Sequence, residues 1–78
     1  MKELIEYIAK SLVDDPTGVK VSEHLTRGNV RLELSVAEED MGRVIGRSGR
    51  VANAMRALLR VAAARQGSRA TLDILEPR

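Results

Sequence analysis

Gly46, Arg47, Ser48 and Gly49 are the residues of this chain best suited to holding a ligand. Glycine at both ends of a four-residue loop permits positive φ and removes side chains that would keep a ligand at a distance. Backbone N–H groups left bare in this way, set beside positive charge, suit a phosphate. Arg50 follows the loop directly, and Arg43 lies one helical turn before Arg47. No comparable grouping points to catalysis. Ser48 has no base near it in sequence to activate it, and His24, the single histidine, has no partner at a useful spacing. Asp14 and Asp15 stand beside Pro16 and Gly18 and read as turn and capping residues. Glu38, Glu39 and Asp40 suit the positive end of a helix. With no cysteine there is neither a disulfide nor a thiolate metal site. The expectation is a protein that is not an enzyme and that uses no metal or cofactor.

The charge is unevenly placed. Residues 41–72 hold seven arginines and no acidic residue, whereas the rest of the chain holds six basic and eleven acidic residues. Asymmetry of this size, inside a net charge of only +2, points to an anionic partner on one side of the molecule. The 78 residues are enough for one small domain, residues 1–78, and 44% hydrophobic content argues for a folded core. The acids among the first six residues interrupt what a signal peptide would need, and no apolar run is long enough for a membrane span. The expected location is the cytoplasm, with no membrane partner.

Elements that could position the loop follow from periodicity. Leu4, Ile5, Ile8, Ala9 and Leu12 recur at helical spacing over residues 2–13, and Pro16 and Gly18 end that helix. Val19, Val21 and Leu25 alternate with polar residues, as do Val30, Leu32, Leu34 and Val36, and Thr26-Arg27-Gly28-Asn29 joins them as a hairpin. A short helix is expected from the acids at 38–40 to about Ile45, a long one over 50–66 stopped by Gly67, and a closing strand over 70–75. The order α-β-β-α-α-β, with helices on one face of a three-stranded sheet, is an α+β two-layer domain.

On the long helix, Val51, Met55, Leu58 and Ala62 form the expected core face, flanked by Leu59 and Ala52, with Asn53, Arg56 and Arg60 as the polar arc. Ala54, Ala57, Val61 and Ala64 make a further apolar flank. That is more apolar surface than one side of a small sheet can cover, so this flank is a candidate subunit interface.

The run from Asp40 to Arg50 resembles the signature of the KH domain, whose GXXG loop clamps about four single-stranded nucleotides. The element order is similar to the type II form, with its core over about residues 29–78, and the whole chain resembles the small single-KH-domain proteins of bacteria, the KhpA type. The resemblance implies that Gly46, Arg47, Ser48 and Gly49 clamp single-stranded RNA, aided by Arg43 and Arg50. It also implies that bases lie in a groove between the two flanking helices and a strand edge. One of Val44 and Ile45 should line that groove and the other the core; the core reading is given to Ile45, leaving Val44 for RNA. Val51 and Met55 are groove or core positions. The implied partners are a second copy or a larger KH-containing protein of the KhpB (Jag) type. The implied roles are post-transcriptional control or RNA chaperoning linked to cell elongation, division, shape and wall biogenesis.

Tyr7 is the only aromatic residue, so a platform of stacked aromatics is ruled out. A single copy should bind weakly and with little base preference, and two copies could gain affinity by avidity. Two other readings stand beside this one. The fold could serve chiefly to assemble a complex, or the ligand could be single-stranded DNA.

Overall fold

Ile5 and Ala9 place one stripe of an amphipathic helix, α1 (Lys2–Leu12), in the core. Asp15 then caps a single 3₁₀ turn, Pro16–Gly18, by accepting the Thr17 N–H at 3.2 Å. Strands β1 (Lys20–Thr26) and β2 (Asn29–Ser35) form an antiparallel hairpin. Its loop residues Arg27 and Gly28 both have positive φ, the backbone that a tight two-residue hairpin requires. A second 3₁₀ turn at Glu38–Asp40 leads into α2 (Met41–Ile45), a third at Arg47–Gly49 leads into α3 (Arg50–Arg65), and β3 (Arg69–Ile74) closes the fold. The computed structural model describes residues 1–76.

The sheet order is β1-β2-β3, with β3 parallel to β2. Parallel neighbours need a crossover, and α2 with α3 supplies it. Val21, Leu34 and Ile74 align across the three strands, as do Leu32 and Leu72. Together with Ile5, Ala9, Val44, Met55 and Leu59 they form a single core between sheet and helices. The expected α+β two-layer KH architecture is thus the one observed. The end of α3 is a Schellman arrangement: the Gly67 N–H donates to the Ala64 carbonyl at 3.1 Å and the Ser68 N–H to that of Ala63 at 2.9 Å. Gly67 has φ 70°, which explains why the helix stops there.

Two expectations about burial need correction. Leu25 lies in the inner-face register of β1 but is 71% exposed, because only Val21 of this edge strand is covered. The buried residues of α3 are Ala52, Met55, Leu59 and Ala63, not Leu58 and Ala62 with Met55. The helix is turned about its axis towards β3, its main packing partner, and leaves Leu58 53% exposed. Among the described residues no helix is long and apolar enough to cross a membrane.

Candidate nucleic-acid interface

Gly46 ends α2 by donating its N–H to the Gly42 carbonyl at 2.9 Å, and its backbone sits at φ 76°, ψ 173°, a region reserved for glycine. A side chain is also excluded by space, since a Cβ here would lie 2.5 Å from Val51 Cγ2 and 2.9 Å from the Val51 nitrogen. Arg47 to Gly49 then make one tight turn closed by the Gly49 N–H on the Gly46 carbonyl at 3.2 Å. Ser48 (φ 56°) and Gly49 (φ 76°) are both left-handed. This backbone delivers the chain directly into α3, whose first turn has no side-chain cap and no acidic residue. The Arg50 N–H closes back on the Arg47 carbonyl, and the positive dipole end of α3 is turned towards the loop, where it favours an anion.

Arg47, Ser48 and Arg50 are exposed around that helix start. Among the described residues, neither arginine forms an ion pair. The four loop residues and Arg50 are thus brought together as expected. Arg43 is placed differently. Its Nη2 donates to Asp14 Oδ2 at 2.9 Å and its Nε lies 3.6 Å from Asp40 Oδ1, so it is half engaged in holding α2 to the end of α1.

Asp40, expected from the sequence only as a helix-start acid, makes no cap bond to α2 and has a different role. It is buried, and its two oxygens accept the backbone N–H groups of Asp14 and Asp15, each at 3.1 Å. No local pattern could reveal this, because the partners are about 25 residues apart. A buried carboxylate with all its bonds made is a fixed point, and here it pins the start of α2, hence the loop that follows.

The aliphatic pair is reversed from expectation. Val44 is 0% exposed and belongs to the core, while Ile45 is 37% exposed beside the loop. In a five-residue helix whose buried residue is Val44, its neighbour turns outward by about 100°. Met55 is core, and Val51 is half-buried beneath Gly46. Ala54, Ala57, Val61 and Ala64 are all exposed, with Leu58 beside them.

Further along α3 a cleft lies between the helix and the outer edge of β3. It encloses about 350 Å³ between Arg56, Arg60 and residues 70–73. Arg56 spans it, donating Nε to the Leu72 carbonyl at 3.1 Å and Nη1 to Asn53 Oδ1 at 3.1 Å. Of the polar arc read from sequence, Arg56 is thus drawn onto the strand edge, while Asn53 and Arg60 are exposed.

The family model described as "KhpA/KhpB, KH domain" matches residues 2–74. The chain is 48% identical over 75 residues to the RNA-binding protein KhpA of Clostridium perfringens, covering 96% of this chain and all of that protein. It is 49% identical over 76 residues to the RNA-binding protein KhpA of Halalkalibacterium halodurans, covering 97% and all of it. That of Treponema pallidum is 45% identical over 75 residues, 96% of this chain and 94% of the relative. No solved structure matches significantly. A KH fold with an intact Gly-Arg-Ser-Gly turn, and relatives alike from end to end, make the chain a member of the KhpA/KhpB KH-domain family.

Proposed function

We propose that this protein is a non-catalytic, cytoplasmic RNA-binding protein whose Gly46–Gly49 loop grips the backbone of single-stranded RNA. One observation carries the reading. The loop's left-handed backbone leads into an uncapped helix start flanked by two arginines that, among the described residues, form no ion pair. A phosphate at that point receives backbone N–H donors, the helix dipole and the Arg47 and Arg50 charges together. Ile45 offers an apolar contact beside the loop, and the cleft along Arg56, Arg60 and the β3 edge continues the path for bases. The relatives carrying the name RNA-binding protein support the same ligand. The decisive experiment is the double substitution R47D/S48D, with RNA recovered by crosslinking from cells and bound in vitro. RNA recovery should collapse while the fold survives; unchanged recovery removes the clamp. Matched RNA and DNA oligonucleotides in the same assay separate the two nucleic acids.

A second element of the proposal concerns assembly. Leu58 and Val61 are 53% and 55% exposed on α3, among Ala54, Ala57 and Ala64. Small residues there let another helix approach closely, so this flank receives a second copy or a larger KH-containing partner of the KhpB (Jag) type. Pairing would give a weak, aromatic-free binder two clamps and hence avidity. The assigned biological role is post-transcriptional control or RNA chaperoning, with effects on cell elongation, division and wall biogenesis.

A further inference from the structure

Among the described residues nothing covers the face of the sheet turned away from the helices, and its hairpin end is basic. Register places Thr26, Asn29 and Arg69 in one cross-strand row and His24, Arg31 and Thr71 in the next. A shallow depression of about 300 Å³ lies over these two rows. The framework is rigid there, because the Arg69 N–H donates to the Gly28 carbonyl at 3.0 Å and ties the start of β3 to the hairpin turn. The next row on this face is acidic, Glu33 beside Asp73, and Glu33 accepts from Arg31 Nη1 at 3.4 Å and contacts His24 Nε2 at 2.8 Å. Arg27 and Arg69 are exposed and, among the described residues, form no ion pair.

This depression is continuous with the groove beside α3. Beyond Arg56, the cleft along the helix widens to a space of about 380 Å³ whose walls include Arg60, Arg69 and Thr71. Arg69 and Thr71 also line the outer-face depression, so they form a shared rim at the β3 edge. The clamp itself accounts for about four nucleotides, while the 16 residues of α3 span about 24 Å from the loop to this rim.

We propose that RNA leaving the α3–β3 groove crosses the β3 edge at Arg69 and runs onto the outer face of the sheet, where Arg31 and Arg69 hold further phosphates. The proposal rests on the RNA reading above. Continuity with the groove favours RNA over an acidic peptide, as does the mix of arginine with hydroxyl and amide side chains, the set that contacts phosphate and sugar. The binding site is then longer than the clamp and turns a corner.

The test uses the intact chain and oligouridylates of two lengths, about 6 and about 16 nucleotides, the shorter one sufficient for the clamp's four. R31A/R69A should leave the short probe's affinity unchanged and weaken the long probe about tenfold. It should also lower the long probe's log–log salt slope by about 1.4, since each phosphate no longer neutralised removes about 0.7. R31K/R69K should restore most of the binding, and circular dichroism should report an unchanged fold. Equal affinity for the long probe in wild type and R31A/R69A overturns the proposal. So does an equal loss on both probes, and so does a polyglutamate peptide binding the outer face while long RNA is unaffected. R47D/S48D on the short probe reports separately on the clamp: if that variant still binds, the clamp reading fails whatever the length series gives.

Discussion

Arg43 donates to Asp14 at 2.9 Å across the gap between α2 and the chain leaving α1. This contact and the Asp40 bonds to the Asp14 and Asp15 backbone together tie the element carrying the loop to the N-terminal helix. The loop is thereby presented from a fixed base, which would lower the ordering cost of the grip proposed for it on a flexible strand.

Asp40→Ala should therefore be costly for stability although it lies outside the loop. It leaves two part-buried N–H groups without an acceptor, and bonds to a charged acceptor are worth about 1.5–3 kcal/mol each. A destabilisation of about 3 kcal/mol is expected, seen as a fall in the urea midpoint with an unchanged m-value. Arg43→Ala removes the exposed pair with Asp14 and a longer contact to Asp40, whose two backbone hydrogen bonds remain, and should cost about 1 kcal/mol.

The two loop glycines should respond unequally to alanine. Gly46→Ala forces a Cβ against Val51 and holds it in glycine-only backbone, for a cost of at least about 2–3 kcal/mol and loss of RNA binding. At Gly49 the nearest atom to an added Cβ is Asn53 Nδ2 at 3.8 Å, so only the left-handed backbone is penalised, by about 1–2 kcal/mol. Thermal unfolding of the two variants should rank them in that order.

Much of this was legible in the chain, for a physical reason. Alternation at Val30, Leu32 and Leu34 and helical spacing at Ile5 and Ala9 are local signals, and both survive into the core. The loop was legible because glycine at 46 and 49 answers a local backbone demand. What escaped was set by tertiary packing. The rotation of α3 that exposes Leu58 and buries Leu59 depends on its docking against β3, and a wheel drawn on an isolated helix places its axis only loosely. Val44 and Ile45 are adjacent aliphatics of similar character, and only the docking of α2 decides which one faces inward.

That reversal gives a sharp test. Val44→Ala should cost about 2 kcal/mol by leaving a small cavity in the core. Ile45→Ser gives up partial burial and should cost only about 1 kcal/mol, yet weaken RNA binding several-fold by removing the apolar contact beside the proposed clamp. Denaturation and oligonucleotide titration of both variants check the pair. If Ile45→Ser binds like wild type, Ile45 is not a groove residue.

Val61 offers the corresponding test for assembly. It is 55% exposed and forms no part of the core, so Val61→Arg should leave the isolated fold within about 0.5 kcal/mol of wild type. Placed on a helix flank that meets another subunit, the same arginine would put a charge into an apolar interface without a partner, a cost of several kcal/mol. Sedimentation at high protein concentration should then show dimer for the wild type and monomer for Val61→Arg, with short-probe binding kept and the avidity for long RNA abolished. A wild-type chain that sediments as a monomer under those conditions removes the self-pairing flank. Co-purification with a larger KH-containing protein that fails for Val61→Arg would assign the same surface to the hetero-complex.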